Sequence, residues 1–177
     1  LGNKFLGNIR ETDAIIHVLR CFEDGNVVHV DGSVDPVRDK EVIDTELQLK
    51  DLETLESRLV KVVKAAKTGD KDALKVLGFY TKIKGTLESG KSARTIDCEE
   101  FEEPLMKELQ LLTSKPILYL CNVDENSVTS GNVHVQAVKT AVKDEDAEVL
   151  ILGAGIESEI QELEDLEERM MFLTDLG

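Results

Sequence analysis

Residues Pro116 to Glu125, Pro-Ile-Leu-Tyr-Leu-Cys-Asn-Val-Asp-Glu, limit the choice of folds more than any other stretch. Ile117, Leu118, Tyr119 and Leu120 run without a polar break, and the chain then turns polar at Asn122. A strand apolar on both faces belongs in a parallel sheet covered on both sides. Asn122 and Glu125 fall in the loop after its C-terminal end, where open α/β sheets bind ligands. Ala14-Ile-Ile-His-Val-Leu-Arg20 and Ala147-Glu-Val-Leu-Ile-Leu152 have the same short, β-branched character. The first runs into Cys21-Phe22-Glu23-Asp24 and the second into Gly153-Ala154-Gly155. Right-handed crossovers bring the C-terminal ends of such strands to one edge, so Phe22, Asn122–Glu125 and Gly153–Gly155 are expected on one rim.

Helical spacing fills the intervals. Phe5, Leu6 and Ile9 are expected on one face of a helix ending near Thr12, with Asn8, Arg10 and Glu11 opposite. Leu52, Leu55, Leu59, Val62 and Ala66 make a near-heptad stripe in a long helix that begins near Asp39. Thr68-Gly69-Asp70 breaks it, with Asp70 a fair N-cap for a second helix striped by Ala73, Leu77, Tyr80, Ile83 and Leu87. The pair reads as an antiparallel hairpin. A third helix, Glu99 to Leu112, carries Phe101, Leu105, Leu109 and Leu112 on one face. Further helices are expected at about 133–143, from Ile156 and from Asp165. His17 reads as a packed side chain, His29 and His134 as exposed, and Val27–Val30 as a short extended piece. The boundaries drawn are 1–36 and 113–177 for the sheet-bearing part and 37–112 for an inserted helical part.

Composition narrows the functions. A formal net charge of −15 repels phosphate backbones and anionic membranes, which argues against direct DNA binding by this segment. The three cysteines, Cys21, Cys98 and Cys121, form no Cys-x-x-Cys and read as reduced thiols. No apolar run approaches membrane-spanning length, no residue set has metal-ligand spacing around His17, and a cytoplasmic location is expected. The chain starts at Leu1 without Met, which suggests a piece of a longer protein.

Several strings, in order, resemble the Obg-like ATPases of the YchF subfamily. They are Leu1-Gly-Asn-Lys-Phe-Leu6, Arg20-Cys-Phe-Glu-Asp24, Val34-Asp-Pro36, Glu46-Leu-Gln-Leu-Lys-Asp-Leu52, Leu112-Thr-Ser-Lys-Pro116, Cys121-Asn-Val-Asp-Glu125 and Ile156-Glu-Ser-Glu-Ile160. The resemblance implies the C-terminal half of a P-loop NTPase G-domain, α/β with a parallel sheet, carrying an inserted antiparallel helical coiled-coil hairpin. It also implies ATP with Mg²⁺, ribosome-associated work in translation, and a C-terminal TGS domain in the whole protein. Asn122-Val-Asp-Glu125 resembles an altered form of the guanine-reading Asn-Lys-x-Asp motif. Val123 replaces the Lys that packs over the base, and Glu125 is one methylene longer than Asp. Both changes weaken a guanine clamp, whereas the Asn122 amide can donate to a purine N7 and accept from adenine N6.

By the resemblance, Asn122 and Val123 line an adenine pocket, Phe22 faces it, and Gly153-Ala154-Gly155 supplies the base-side backbone. Read from its residues alone, Phe22 is either core filler or a cover for a ligand's flat face. The Gly-x-x-x-x-Gly-Lys-Ser/Thr P-loop and the Asp-x-x-Gly switch are expected before Leu1, with none in this chain. The isolated segment is then expected to be inactive, with no catalytic residue or metal ligand of its own. Its first strand would be left with an open edge that invites self-association. The rival readings are a non-catalytic helical interaction module and a GTP-binding protein.

Overall fold

The computed structural model describes residues 2–27 and 32–176. The extended piece expected over Val27–Val30, and His29 within it, lie largely outside them. The described chain divides into two compact units: Leu1–Ile15, Glu41–Pro116 and Asp144–Asp146 in one, Ile16–Lys40, Ile117–Lys143 and Ala147–Gly177 in the other.

The first unit is helical. Helix α1 (Asn3–Glu11) buries Leu6, with Ile9 half-buried, against Leu47, Leu112 and Ile43. Phe5, expected inward, is 51% exposed. Arg10, expected outward, turns in: its guanidinium donates to Thr54 Oγ1 at 2.9 Å and to the Gln110 carbonyl at 3.3 Å. Long α2 (Pro36–Ala66) and α3 (Lys71–Glu88) form the expected hairpin, and the Asp70 carboxylate caps α3 by accepting from the N–H groups of Asp72 and Ala73. Leu55, Phe79, Tyr80, Ile83 and Leu87 make the core between them, with Leu52, Leu59 and Val62 half-buried beside it. The stripe from Leu52 to Val62 thus follows its heptad spacing. Phe79 is a core residue outside the expected stripe.

Helix α4 (Glu102–Leu109) is shorter than its pattern. Gln110 takes a left-handed φ of 49° and ends it, and Leu112–Ser114 follow as a 3-10 turn. At the other end the helix starts only at Glu102, so Phe101 precedes it and is 44% exposed. The polar centre of this unit is Asp51, fully buried on α2. Its carboxylate accepts from the N–H of Leu112 at 2.7 Å, the N–H of Thr113 at 2.8 Å and the Thr113 hydroxyl at 2.7 Å. Burial pushes the Asp51 carboxyl above its ordinary range, and these donors pull it back.

The second unit carries the sheet. Strands β1 (Ile15–Arg20), β2 (Ile117–Asn122) and β3 (Glu148–Leu152) lie in the order β1-β2-β3. β2 and β3 are parallel, pairing Leu118 with Glu148 and Asn122 with Leu152. Ile117, Tyr119 and Cys121 point to the buried face, where the His17 ring lies 5.8 Å from that of Tyr119. The opposite face is less covered than a both-faces-apolar strand implies: Leu118 and Leu120 are half-buried, and Ile16 and Val18 are 63% and 59% exposed. Helix α5 (Val133–Ala141) joins β2 to β3 and buries Val135 and Val138. Helix α6 (Ala154–Glu162) buries Ile156 and Ile160, and α7 (Leu166–Leu176) follows.

Candidate functional site

Asn122 ends β2, Gly153 follows β3 and Phe22 lies two residues past the end of β1, and the structure brings those ends together. The Cys21 N–H donates to the Asn122 carbonyl at 2.8 Å, and the Val123 N–H donates to the Leu152 carbonyl at 2.9 Å. These bonds continue the sheet ladder one residue into the loops, so the rim is rigid where the side chains emerge.

Asn122 is half-buried at this rim. Its Oδ1 accepts from the Ala154 N–H at 2.9 Å. That bond fixes the amide plane, occupies a lone pair of Oδ1 and leaves Nδ2, the donor, for a ligand. It also satisfies the N–H of Ala154, the first residue of α6, which has no partner within the helix. Gly153 is packed from both sides. A Cβ there would meet Val128 Cγ2 at 2.7 Å and Ile156 Cγ2 at 3.0 Å, so the Gly153 backbone and the loop after β2 approach as closely as a glycine allows. Gly155 has open space where a Cβ would stand and is not required on that ground. Val123 is buried, 4% exposed, beneath the loop, whereas Asp124 and Glu125 are exposed, with Glu125 opening a 3-10 turn, Glu125–Ser127.

Phe22 is half-buried, and the Arg20 guanidinium lies 4.9 Å from its ring centroid. The same guanidinium collects the loop's carbonyls: Nε donates to Phe22 O at 3.1 Å, Nη1 to Val27 O at 2.9 Å and Nη2 to Asp24 O at 3.4 Å. Arg20 thus shapes the loop that presents Phe22. Asn132 does comparable work on the other loop, accepting from the N–H groups of His134 and Val135 and donating to the Cys21 carbonyl. Neither residue stood out as part of a site in the sequence. An arginine ending an apolar strand and an asparagine opening a helix were the available signals. Beneath the rim, Cys21 and Cys121 are fully buried free cysteines whose thiols interact; the hydrogen bond with the Cys121 sulfur, and then burial, push the Cys21 thiol well above its ordinary range.

The chain also spells Gly-x-x-x-x-Gly-Lys-Ser at Gly85–Ser92, contrary to the expectation that it holds no such string. The structure removes it as a phosphate loop. Gly85–Glu88 are the last turn of α3, not a loop after a strand. The N–H groups of Ser89, Gly90 and Lys91 donate to the carbonyls of Gly85, Leu87 and Thr86, so none of these three is free for a phosphate. Gly90 is needed for its φ of 78°, a helix-ending turn. Among the described residues, no group of three or more His, Cys, Asp or Glu could hold a metal ion. No helix among them is long and apolar enough to cross a membrane. An open cavity of about 620 Å³ lies elsewhere, in the helical unit, lined by Arg10, Asp13, Glu103, Lys107 and Lys115 among others. Its Lys115 ammonium is committed to the carbonyls of Arg10 and Thr12, and it contains none of the rim residues.

Comparison with known proteins finds relatives along the whole chain. A ribosome-binding ATPase YchF of Bacillus subtilis is 50% identical across all of this chain and 49% of its own length. The protein of that name from Escherichia coli O157:H7 is 44% identical over all of this chain and 48% of its own. Obg-like ATPase 1 of Oryza sativa subsp. indica is 44% identical over 71% of this chain and 32% of its own. The structure of the Schizosaccharomyces pombe YchF GTPase superposes with a TM-score of 0.87 at 29% identity, covering 99% of this chain and 49% of that one. No family model matches. The chain is thus homologous along its whole length to YchF proteins and over 71% of it to Obg-like ATPase 1, has the fold of the matching part of the Schizosaccharomyces pombe YchF, and spans about half the length of these YchF relatives.

Proposed function

We propose that the whole protein to which this chain belongs is a YchF-type nucleotide-binding ATPase that works with the ribosome in the cytoplasm, and that this chain supplies base recognition. The observation that carries the reading is the Asn122 amide, locked by the Ala154 N–H so that its Nδ2 donor is presented beside the Phe22 and Gly153 loops. A purine N7 is the acceptor that such a donor suits. Phe22 supplies a flat apolar face and Gly153–Gly155 a close backbone. Buried Val123 sets the loop's depth and leaves no lysine chain to lie over a guanine. Adenine N6 can reach only the remaining lone pair of Asn122 Oδ1, so the amide reads the base chiefly as a donor.

ATP over GTP rests on Val123 and Glu125. Glu125 stands where a guanine clamp has Asp, and it is exposed. One relative is titled a GTPase and others are named ATPases, which makes nucleotide competition on the whole protein the deciding test. ATP outcompeting GTP by tenfold or more supports the reading, and the reverse order overturns it. The β/γ-phosphates and Mg²⁺ are assigned to residues outside this chain, and 37–112 to the family's inserted helical domain. Measurable ATP turnover by the isolated chain would contradict this division. The exposed Ile16 and Val18 on β1 favour self-association of the isolated chain, and a concentration-independent monomer in light scattering would contradict that.

A second reading, a helical interaction module, has an observation of its own. Lys61, Lys64, Lys67, Lys71 and Lys75 are all exposed around the hairpin turn, while the Asp70 carboxylate there is spent on capping α3. In a chain of net charge −15 this local cationic tip suits an anionic partner surface. Reversing Lys64, Lys67 and Lys71 to Glu should weaken ribosome binding and its salt dependence while leaving ATP affinity unchanged. Unchanged ribosome binding would remove this role.

A further inference from the structure

We propose that Asn132 is a positioning residue for base recognition, fastening the start of α5 to the end of β1 and so fixing Phe22 relative to the Asn122–Glu125 loop. The inference rests on the base-recognition reading above. The half-buried Asn132 side chain works in two directions. Its Oδ1 accepts from the N–H groups of His134 and Val135 at 3.0 and 3.1 Å. Its Nδ2 donates to the Cys21 carbonyl at 2.7 Å and lies 3.5 Å from Ser127 Oγ.

The first job is an ordinary helix cap, which Asp, Ser or Thr performs about as well. The second needs a donor further out than a hydroxyl carries it: Asp has none, Ser and Thr have one only on the capping oxygen itself, and among the good caps Asn alone carries a separate NH₂ donor beside its acceptor. Cys21 is the residue before Phe22, and its N–H is already given to the Asn122 carbonyl at 2.8 Å. The two bonds therefore close a loop of structure: Asn122 leads through the 3-10 turn to Asn132, Asn132 bonds Cys21, and Cys21 bonds Asn122. Within it the Ser127 hydroxyl reaches the Asp124 carboxylate, at 3.1 Å to Oδ1, and the Gly131 N–H donates to the Ser127 carbonyl at 2.8 Å. The loop has few internal freedoms left, and Asn132 is the side chain that ties its far end back to the strand carrying Phe22. Asn132 touches no reacting group. It acts through Phe22 and Asn122.

The test is made on the whole protein with Asn132→Asp, which keeps the cap acceptor and removes the donor, and with Asn132→Ser, which caps without the reach. ATP affinity should fall roughly five- to tenfold in both, as expected for one lost well-placed hydrogen bond and the loop slack that follows. The kcat should stay near the parent's, and inhibition by inorganic tripolyphosphate, which has no base, should not change. Unchanged ATP affinity in both variants while Asn122→Ala loses affinity would overturn the positioning role and leave the base reading standing. Equal losses of ATP and tripolyphosphate binding would also overturn it, as general damage. If Asn122→Ala itself has no effect, the base reading fails and carries this proposal with it.

Discussion

Gly85–Ser92 and Asn122–Glu125 both resemble pieces of a nucleotide site, and they end different kinds of element. The first matches the phosphate-loop spelling letter for letter yet terminates helix α3, and its N–H groups turn back onto that helix's own carbonyls. The second departs from the guanine-reading spelling at Val123 and Glu125 yet terminates a parallel strand. There the Asn122 amide is held by the N–H of Ala154, the first residue of α6, with its own NH₂ left over. The difference lies in where donors point after the local backbone has taken its share. A helix C-terminus consumes N–H groups in closing itself, whereas a strand end at a sheet rim leaves side chains free to project.

The strongest way to break this contrast is at Gly153. Gly153→Val drives side-chain atoms into Val128 and Ile156, where even a Cβ would stand 2.7 Å from Val128 Cγ2. If the loop faces the base as proposed, its displacement should lower ATP affinity of the whole protein on the order of a hundredfold, and it should cost about 2–3 kcal/mol in unfolding free energy. Titration calorimetry and denaturant unfolding measure the two effects. Next comes Arg20→Ala, which removes the cation over Phe22 and the donors that gather Phe22, Asp24 and Val27 carbonyls. Affinity for ATP should fall about fivefold, as one exposed cation–π contact and its hydrogen bonds imply. Arg20→Lys should not restore it, since an ammonium lacks the fork.

At the other string the same kind of change should touch stability alone. Gly90→Ala places a side chain at φ 78° and should cost roughly 1 kcal/mol of stability, seen as a small drop in melting temperature, with ATP affinity unaltered. A loss of ATP affinity with Gly90→Ala would show that the helix end participates in the site after all.

Much of this arrangement was legible in the residues. The apolar runs at 14–20, 117–120 and 147–152 became β1, β2 and β3 within a residue or two, because β-branched runs bounded by polar or glycine loops have few alternatives. The Leu52–Val62 seam and Asp70 likewise declared the hairpin. What stayed hidden depends on tertiary partners. Asp51 reads as one more polar position on a charged helix, and only the folded chain places the N–H groups of Leu112 and Thr113 beside it. Phe101 fits a helical stripe by spacing, but α4 starts after it and leaves it exposed. The rim itself was read from strand ends. The fastening of its loops by Arg20 and Asn132 was not, because an arginine's reach to carbonyls two, four and seven residues on has no periodic signature. Nor does spelling alone dispose of Gly85–Ser92, which needs the helical context of Gly85 to be read correctly.

One paired titration reaches the centre of this account. ATP is titrated into the whole protein carrying Asn122→Ala and, separately, Lys91→Ala. A phosphate-loop lysine would be indispensable, whereas Lys91 here is an exposed residue just past a helix end. The account predicts at least tenfold weaker binding for Asn122→Ala, the cost of a base-reading hydrogen bond, and parent-like binding for Lys91→Ala. Abolished binding with Lys91→Ala, alongside parent-like binding with Asn122→Ala, would contradict it.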